Sequence, residues 1–357
     1  MYECHKDILA FHNDEVTLPQ SDQDEMRARR DTNRQRQEDG LQRDEQPAPY
    51  AFQSQGSYAH HTMVQQPDKD YDIDDGTYFR KDDLKGPRGG EKTARDTKEM
   101  VRKALHDDRF NKPPEVRTNC VRVYYSAGYH VDVPVYRKVT TTNSFGDEET
   151  HYELASSDWK NADPQEVTRW FNRENKRQSP DTTNGRQLRR QTRMLKAFAR
   201  SRASWRPRNA TGFMITTLVV EECYRSDATR EDNALYATMV AMRDRLNGNL
   251  EIAHPTVDGD WLTRGSDDGR TKFLREKLDW AIGKLSVLSD ADCTRAQALK
   301  AWDTVFNTTY FSERLKDEET EGKDGISAGV SAGILIKGAE KAAERRPVDK
   351  RGGGRYA

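Results

Sequence analysis

The sequence predicts an α+β protein with two lobes, in which a small sheet precedes a helical region. Strand-like alternation is concentrated in residues 52–137, whereas helical patterns dominate after residue 158. The 357 residues are enough for two ordinary domains or one large bilobal one. We therefore expect four parts: an N-terminal region with a long polar helix at 1–48, a sheet-bearing core at 49–157, a helical lobe at 158–320 and a flexible segment at 321–357.

The composition is highly polar but electrically balanced. Charged residues make up 33% of the chain, hydrophobic residues 34%, and the mean hydropathy is -1.05. The 59 Lys and Arg residues meet 60 Asp and Glu residues, for a formal net charge of -1. Low hydrophobicity indicates disorder only when it accompanies a large net charge. We expect a folded protein with a modest core, and the charge balance excludes a globally cationic DNA-packing protein.

Neither membrane insertion nor a cysteine-based scaffold is expected. The longest nearly apolar run, residues 326–336, is too short to span a bilayer, and the N-terminus lacks the pattern of a signal peptide. The four cysteines are widely spaced and include no CxxC pair, which argues against a zinc site or a disulfide framework. These features predict a cytoplasmic protein that does not contact the membrane.

Residues 21–42 are predicted to form a long polar helix. Ser21 is the expected N-cap and Gly40 marks the expected end. The only large apolar residues on this helix are Met26 and Leu41, so we expect the helix to lie along a surface.

Residues 121–136 alternate as two strands joined at residues 126–128. In the second strand, Val131, Val133 and Val135 share one face, and Asp132 lies on the opposite face. A carboxylate is therefore displayed away from the packed valines.

The remaining elements are mostly helices. Asp163 is the predicted N-cap of a helix that begins with Pro164. Residues 85–92, KGPRGGEK, are expected to form a mobile loop. Further helices are predicted at 96–108, 186–203, 211–224, 231–247, 271–288 and 291–315.

Three features together indicate chemistry: the segment Gln55-Gly56-Ser57, the pair Asp72 and Asp74, and Asp132. Asp72 and Asp74 are two apart on a strand and project to the same side. Adjacent carboxylates repel each other, and a divalent cation relieves that repulsion; oxygen ligands favour Mg²⁺ or Mn²⁺. A third carboxylate on a neighbouring strand completes a two-metal site.

Other polar residues near these motifs have simpler interpretations. Asp75 is interpreted as a turn residue before Gly76, and His60 and His61 as solvent-exposed loop residues. Gly56 allows backbone N–H groups to approach a phosphate, and the Ser57 hydroxyl adds a donor.

The motifs GSYAHHT (56–62), DIDDGTYF (72–79) and HVDVPVY (130–136) resemble the nucleotidyltransferase core of the polymerase-β type. More narrowly, they resemble the bacterial cGAS/DncV-like nucleotidyltransferases of CBASS anti-phage systems. Residues 156–172 and 189–205 are similar to two further segments of that family. The resemblance extends over residues 50–310 and is closest to the DncV type, which makes cyclic GMP-AMP.

The resemblance implies a bilobal polymerase-β-like fold and a role for each motif. Asp72, Asp74 and Asp132 would bind two Mg²⁺ ions, for which Mn²⁺ can substitute, and Asp132 would help to activate the attacking ribose hydroxyl. In the same family, nucleotide-binding positions correspond to Gln55, Gly56, Ser57, Lys196 and Thr211, the last standing where the family has a serine.

The implied reaction joins NTPs, namely ATP and GTP, into cyclic GMP-AMP with release of pyrophosphate. Three alternatives remain open: a different cyclic di- or trinucleotide, modification of RNA or protein, and a degenerate nucleotide-binding module. The presence of Asp72, Asp74 and Asp132 argues against degeneracy.

Residues 169–208 contain 13 Lys or Arg residues and two acidic residues, Glu174 and Asp181. We expect this segment to face the cleft, where it would attract anionic NTPs. A nucleic-acid surface and a solvated helix face are the alternatives. The even overall charge argues against a long RNA substrate, and we expect no nucleic-acid activator and a monomer.

The last seven residues, RGGGRYA, combine three glycines with a small terminal residue, Ala357. In some CBASS systems a ubiquitin-transferase-like enzyme conjugates the C-terminus of the similar enzyme to a target. The resemblance therefore implies Ala357 as a conjugation point, with an ordinary flexible tail as the alternative.

Overall fold

The computed structural model describes residues 1–66, 71–86, 88–125 and 130–316. The predicted α+β class is confirmed, and the described residues form two hydrophobic cores, one beneath the sheet and one within the helical lobe. Within these ranges, no helix is long and apolar enough to cross a membrane.

The described residues include an eight-stranded mixed sheet. Its strands are β1 (Ala51–Gln55), β2 (Asp72–Arg80), β3 (Glu115–Val116), β4 (Val121–Tyr124), β5 (His130–Val133), β6 (Val135–Thr142), β7 (Glu148–Ala155) and β8 (Trp159–Asn161). Strand β2 is central: β1 pairs antiparallel with one edge of β2, while β5 and β6 run parallel along the other. Strand β4 then extends the sheet beside β5, and β7 and β8 extend it beside β6.

Pro134 divides the strand predicted before residue 136 into β5 and β6. Proline has no N–H to donate to a ladder, although its carbonyl still accepts a hydrogen bond of 2.9 Å from the N–H of Thr77. The register on β2 is nevertheless continuous, because Asp74 lies opposite Asp132 and Thr77 lies opposite Val135. The turn predicted at residues 126–128 lies outside the described residues.

The predicted long polar helix is α2 (Gln20–Arg43). Its N-cap is Pro19, so the assignment of Ser21 as the cap is wrong. Gly40 lies inside the helix rather than at its end, because α2 there crosses the last turn of α4 (Ala94–Ala104) at close range. A Cβ on Gly40 would lie 2.1 Å from the carbonyl oxygen of Ala104, so glycine serves the helix crossing.

The helical lobe follows the predicted segments within a few residues, except that the helix predicted at 291–315 is interrupted after Phe306, where Asn307 adopts a left-handed conformation. Asp163 is confirmed as an N-cap, since its carboxylate accepts hydrogen bonds from the backbone N–H groups of Gln165 and Glu166. The helices are α5 (Pro164–Gln178), α6 (Gln187–Arg200), α7 (Gly212–Leu218), α8 (Glu231–Gly248), α9 (Gly269–Leu285) and α10 (Arg295–Phe306), followed by a turn at 310–316.

The N-terminal region is divided between the two cores. Helix α1 (His5–Phe11) and the π-helical turn that follows it belong to the helical lobe, where Ile8 and Phe11 are buried. From Leu18 onward the chain packs beneath the sheet, with Met26 fully buried. The first 43 residues therefore contact both lobes.

The described residues on the two sides of the predicted mobile loop at 85–92 pair with each other. Lys85 and Glu91 form an isolated antiparallel bridge, and the N–H of Gly86 donates to the carbonyl of Gly90. Residue 87 lies outside the described residues, as do the predicted tail at 321–357 and its terminal residue, Ala357.

Candidate active site

A cleft of about 960 Å³ separates the sheet from the helical lobe. The sheet side contributes Gly56, Ser57, Asp72 and Asp74 to its walls, and the helical side contributes a set that includes Lys196, Arg200, Arg206 and Thr211. The cleft thus has Asp72 and Asp74 on the sheet wall, facing Lys196, Arg200 and Arg206 on the helical wall.

Asp74 is the most perturbed carboxylate of the cleft. Burial raises its pKa to about 7, and the nearby negative charges of Asp132 and Asp72 act in the same direction. The parallel pairing of β2 and β5 causes this proximity, because it places Asp74 directly opposite Asp132. The sequence pattern predicted that Asp72 and Asp74 share a face of β2, and the strand register places Asp132 beside them.

Arg122, which the sequence analysis did not single out, holds Asp132. It lies on β4 directly opposite Asp132, and its Nε and Nη2 atoms donate to the two carboxylate oxygens at 2.7 Å each. These bonds raise the pKa of Arg122 above its ordinary value. Arg122 also lies 3.7 Å from the Asp72 carboxylate, and the Nδ1 atom of His130 lies 3.5 Å from the same carboxylate. The alternation of VRVY and HVDV indicates two strands, but only their register shows that Arg122 lies opposite Asp132.

The donor set suits a hard divalent cation. Asp72, Asp74 and Asp132 supply only oxygen ligands, and the buried Asp74 carries a charge that its neighbours disfavour. In the described part of the chain, however, no three acidic, histidine or cysteine side chains converge closely enough to hold a metal. In this arrangement Arg122 engages both oxygens of Asp132. The oxygen ligands of the three aspartates suit a divalent metal, and Asp132 could bind one once its side chain rotates away from Arg122.

Gly56 begins the short helix α3 (Gly56–Ala59), immediately after β1, and has a φ of +58°. A Cβ at this position would lie 2.4 Å from the Oδ2 atom of Asp74. Glycine is therefore required twice here, by the backbone conformation and by the approach to the carboxylate. Ser57 follows in the first turn of α3 and also lines the cleft.

The side chain of Gln55 is buried, although the residue contributes to the cleft wall. Its amide nitrogen donates to the Tyr78 hydroxyl at 2.9 Å, and its amide oxygen accepts from the Tyr136 hydroxyl at 3.0 Å. The polar atoms of the side chain are thus engaged within the sheet lobe.

Lys196 and Thr211 lie on the helical wall. The Lys196 ammonium donates to the hydroxyl of Thr62 at 2.8 Å, and burial lowers its pKa to about 7, with Arg200 and Arg193 adding to the shift. Thr211 is the N-cap of α7, where its hydroxyl accepts from the N–H of Met214.

The expectation that the whole basic segment 169–208 faces the cleft is wrong. Of its cations, those that line the cleft are Lys196, Arg200 and Arg206. Arg190 is instead buried against Glu231 and Asp181 within the helical lobe. Exposed members of the segment pair locally: Arg169 with Asp163, and Arg173 and Arg177 with Glu174.

Two further interpretations are also wrong. Asp75 is not in a turn, because β2 continues through Gly76; it points away from the cleft and forms two hydrogen bonds with Arg34 of α2, at 2.6 and 2.7 Å. His60 is buried rather than exposed. It stacks on Phe171 with ring centroids 4.9 Å apart, and burial lowers its pKa to about 3.

The protein has a polymerase-β-like nucleotidyltransferase fold with a helical second lobe, and the arrangement of the aspartates agrees with that class. Residues 50–136 match the family model described as "Cyclic GMP-AMP synthase DncV-like, nucleotidyltransferase domain". Residues 50–136 are therefore similar to a DncV-like nucleotidyltransferase domain, which confirms the family resemblance of the motifs.

Individual relatives agree with this assignment. The chain is 26% identical over 241 residues to a cyclic GMP-AMP synthase of Escherichia albertii; the match covers 64% of this chain and 48% of that protein, so the chain spans about half the length of this curated relative. Vibrio cholerae DncV has the same fold, with a TM-score of 0.65 and 20% identity over 86% of this chain and 96% of the other. A second V. cholerae DncV structure, in complex with the linear intermediate 5′ pppA(3′,5′)pG, has a TM-score of 0.65 and 18% identity over 85% and 95% of the two chains.

Proposed function

We propose that this protein joins nucleoside triphosphates into a cyclic oligonucleotide and releases pyrophosphate. The substrates are ATP and GTP, and the product is cyclic GMP-AMP. The observation that carries this proposal is the placement of Asp74 opposite Asp132 on adjacent parallel strands, directly against the Gly56 turn. That arrangement concentrates negative charge where a divalent cation and a triphosphate would meet.

The size of the cleft supports a reaction between two nucleotides. Its volume of about 960 Å³ is at the upper end of the roughly 300–1,000 Å³ that small-molecule sites occupy. The linear intermediate bound to V. cholerae DncV contains both adenosine and guanosine, and we extend that substrate pair to this chain.

In the proposed reaction, the 3′-hydroxyl of one nucleotide attacks the α-phosphate of another, an O–P bond forms and pyrophosphate leaves. Divalent metal held by Asp72, Asp74 and Asp132 would supply charge neutralisation and a more acidic hydroxyl. Asp132 accepts the proton of that hydroxyl, and the Gly56–Ser57 turn orients the triphosphate. Lys196 lies on the opposite wall, where an approaching phosphate would raise its lowered pKa and keep it charged.

The direct test uses radiolabelled ATP and GTP with Mg²⁺, followed by phosphatase treatment and chromatography. We expect a phosphatase-resistant product from the wild type and none from Asp74→Asn or Asp132→Asn, because each removes a ligand charge with little change in volume. Asp82→Asn, an exposed aspartate outside the cleft, is the matched control and should keep full activity. A near wild-type rate in the Asp132→Asn variant would overturn the assignment of these roles.

The role of Lys196 is tested by Lys196→Ala. Losing one charge-assisted phosphate contact should cost about 1.5–3 kcal/mol, which lowers kcat/KM for NTPs by roughly 10- to 150-fold. Lys103→Ala, an exposed lysine on α4, is the control for the loss of one positive charge. If Lys196→Ala leaves NTP kinetics unchanged, Lys196 serves only to anchor Thr62.

We propose further that the product is a second messenger in CBASS anti-phage defence. The test is to express the chain with its neighbouring genes and challenge the cells with phage. Protection that disappears with Asp74→Asn supports this role, whereas equal protection by both forms contradicts it.

A further inference from the structure

The side chain of Gln55 is held between two tyrosines immediately behind the Gly56 turn. Tyr136 donates its hydroxyl hydrogen to the amide oxygen, and the amide nitrogen donates to the hydroxyl oxygen of Tyr78. Gln55, Tyr78 and Tyr136 are respectively 5%, 0% and 4% exposed. Gln55 and Tyr136 also contribute to the wall of the cleft, and because their side chains are nearly buried, the loss of a hydrogen-bond partner leaves a polar atom poorly satisfied.

The two tyrosines form one rigid unit. They lie opposite each other on the parallel strands β2 and β6, and their rings stack with centroids 4.7 Å apart and planes 13° apart. Burial raises the pKa of both hydroxyls well above the ordinary value, so both remain protonated and can take part in hydrogen bonds as neutral groups.

Gly76 closes the remaining space around the amide. A Cβ on Gly76 would lie 2.1 Å from the amide nitrogen of Gln55 and 3.1 Å from a ring carbon of Tyr136. The amide is packed against a position where no side chain fits, and both of its ends are bonded. This arrangement favours a structural role for the side chain over direct contact with a phosphate.

The backbone of Gln55 links this unit to the cleft. Gln55 is the last residue of β1 and lies opposite Asp74 in the ladder between β1 and β2. Gly56 follows directly, and its Cα is close enough to Asp74 that an added Cβ would meet the carboxylate. A change in the backbone conformation of Gln55 would therefore move the Gly56 turn relative to Asp74.

We propose that Tyr78 and Tyr136 are positioning residues that act through Gln55 to hold the Gly56–Ser57 turn in its nucleotide-binding conformation. This inference rests on the proposed function, because it concerns how the same cleft binds nucleotides. It reassigns the Gln55 side chain from a nucleotide ligand to a link between the tyrosine pair and the turn.

The primary test is Tyr136→Phe, which removes one hydroxyl and leaves the ring stack in place. We expect the dissociation constant of a non-hydrolysable ATP analogue to rise about tenfold, and the KM for ATP to rise with it, while kcat falls less than threefold. Tyr152→Phe is the matched control. Tyr152 packs edge-on against Tyr78 at 5.7 Å and its hydroxyl bonds with Tyr50 rather than with Gln55. The control should bind the analogue within twofold of the wild type.

A second variant, Gln55→Met, keeps the length of the side chain and removes the amide. Because Tyr136 acts through Gln55, the variant that combines Tyr136→Phe with Gln55→Met should bind the analogue no more weakly than Gln55→Met alone. Melting curves establish that every variant is folded at the assay temperature. Wild-type affinity in Tyr136→Phe, or equal losses in Tyr136→Phe and Tyr152→Phe, would overturn the proposal.

Analogue binding is measured without turnover, so the two proposals can fail separately. If the wild type forms no cyclic product but Tyr136→Phe still weakens binding as expected, the proposed function fails and the positioning role stands. If product forms and binding is unaffected by Tyr136→Phe, the positioning role fails alone.

Discussion

Gly56 shows how one residue without a side chain sets the geometry of the cleft. Gly56 and Gly89 both have positive φ angles, +58° and +78°, but only Gly56 has a carboxylate within reach of an added Cβ. An alanine at either position should therefore destabilise the fold by about 1–2 kcal/mol through backbone strain, and only Gly56→Ala should also displace Asp74.

We predict that Gly56→Ala lowers pyrophosphate release at least 100-fold, whereas Gly89→Ala changes it less than twofold. The measurement is NTP-dependent pyrophosphate release at saturating Mg²⁺, with thermal melting to compare the stability of the two variants. Activity of Gly56→Ala within threefold of Gly89→Ala would show that the contact with Asp74 is unimportant.

His12 gives the protein a dependence of stability on pH. It is 1% exposed, and burial lowers its pKa from 6.5 to about 4; Arg193 and Arg190 act in the same direction, and the hydrogen bond with Asn13 opposes them. The unfolded chain takes up a proton at a higher pH than the folded chain does. The stability contributed by neutral His12 is therefore present above pH 6.5 and is lost as the pH falls towards 4.

We predict that this loss amounts to about 2 kcal/mol between pH 7.5 and pH 5, from a shift of roughly 2.5 pKa units. Urea unfolding at the two pH values should show a smaller pH dependence in His12→Gln than in the wild type by that amount. His106→Gln, at an exposed histidine, is the control and should follow the wild type. Equal pH dependence in both variants would contradict the prediction.

At the scale of elements, helix α2 supports the back of the strand that carries Asp72 and Asp74. Asp75 and Thr77 point from β2 towards α2, where Arg34 binds Asp75 and the Gln37 amide donates to the Thr77 hydroxyl at 2.8 Å. Asp74 projects to the other face, into the cleft. The helix thus stabilises one face of β2, while the other face borders the cleft.

We predict that Arg34→Met destabilises the protein by about 3–5 kcal/mol, because it leaves the buried Asp75 carboxylate without its cation. Arg27 is on the same helix and pairs with Asp24, with both side chains 55% exposed. Arg27→Met should cost less than about 1 kcal/mol. Free energies of unfolding from urea titration provide the comparison, and similar values for the two variants would rule out a special role for Arg34.

Local sequence signals predicted most elements, and tertiary contacts explain the errors. The cap at Asp163 and the spacing of apolar residues depend on neighbours a few positions apart, so the start of α5 and the helices from α6 to α9 were predicted within a few residues. Gly40 was misinterpreted as a helix end because the contact that requires glycine there is with the carbonyl of Ala104. Asp75 was misinterpreted as a turn residue because its partner is Arg34. Neither partner is near in sequence.

The candidate site was predictable to a similar extent. Alternation within DIDDG and HVDV predicted a shared face for the three aspartates, of which Asp72 and Asp74 line the cleft together with Gly56 and Ser57. Arg122 and the tyrosine pair became evident only from strand register, which places Arg122 opposite Asp132 and Tyr78 opposite Tyr136. Register depends on how distant segments pair, so a single sequence does not specify it.

At the scale of the whole molecule, the N-terminal segment connects the two lobes. The N–H of Cys4 donates to Asp232 on α8, and Asp7 pairs with Arg295 on α10, which fixes α1 within the helical lobe. The chain then passes beneath the sheet as α2. The sequence suggested only a polar surface helix here, because α1 is short and its partners lie more than 200 residues away.

Phe11 is the aromatic residue on which this connection depends. Its ring centroid lies 4.8 Å from that of Phe306, 4.9 Å from that of Phe311 and 5.4 Å from that of Tyr310. The cluster therefore joins the first helix to the last described helical turn, and it lies within the core of the helical lobe.

We predict that Phe11→Ala lowers the free energy of unfolding by about 3–5 kcal/mol, because it leaves a cavity among three aromatic rings. Phe145→Ala is the matched control: its side chain is 89% exposed at the tip between β6 and β7, so its removal should change stability by less than about 0.5 kcal/mol. Urea unfolding followed by tryptophan fluorescence measures both values, since Trp302 stacks on Phe306 beside the cluster. If the two alanine variants unfold at the same urea concentration, α1 does not stabilise the helical lobe, and its contacts there carry no measurable energy.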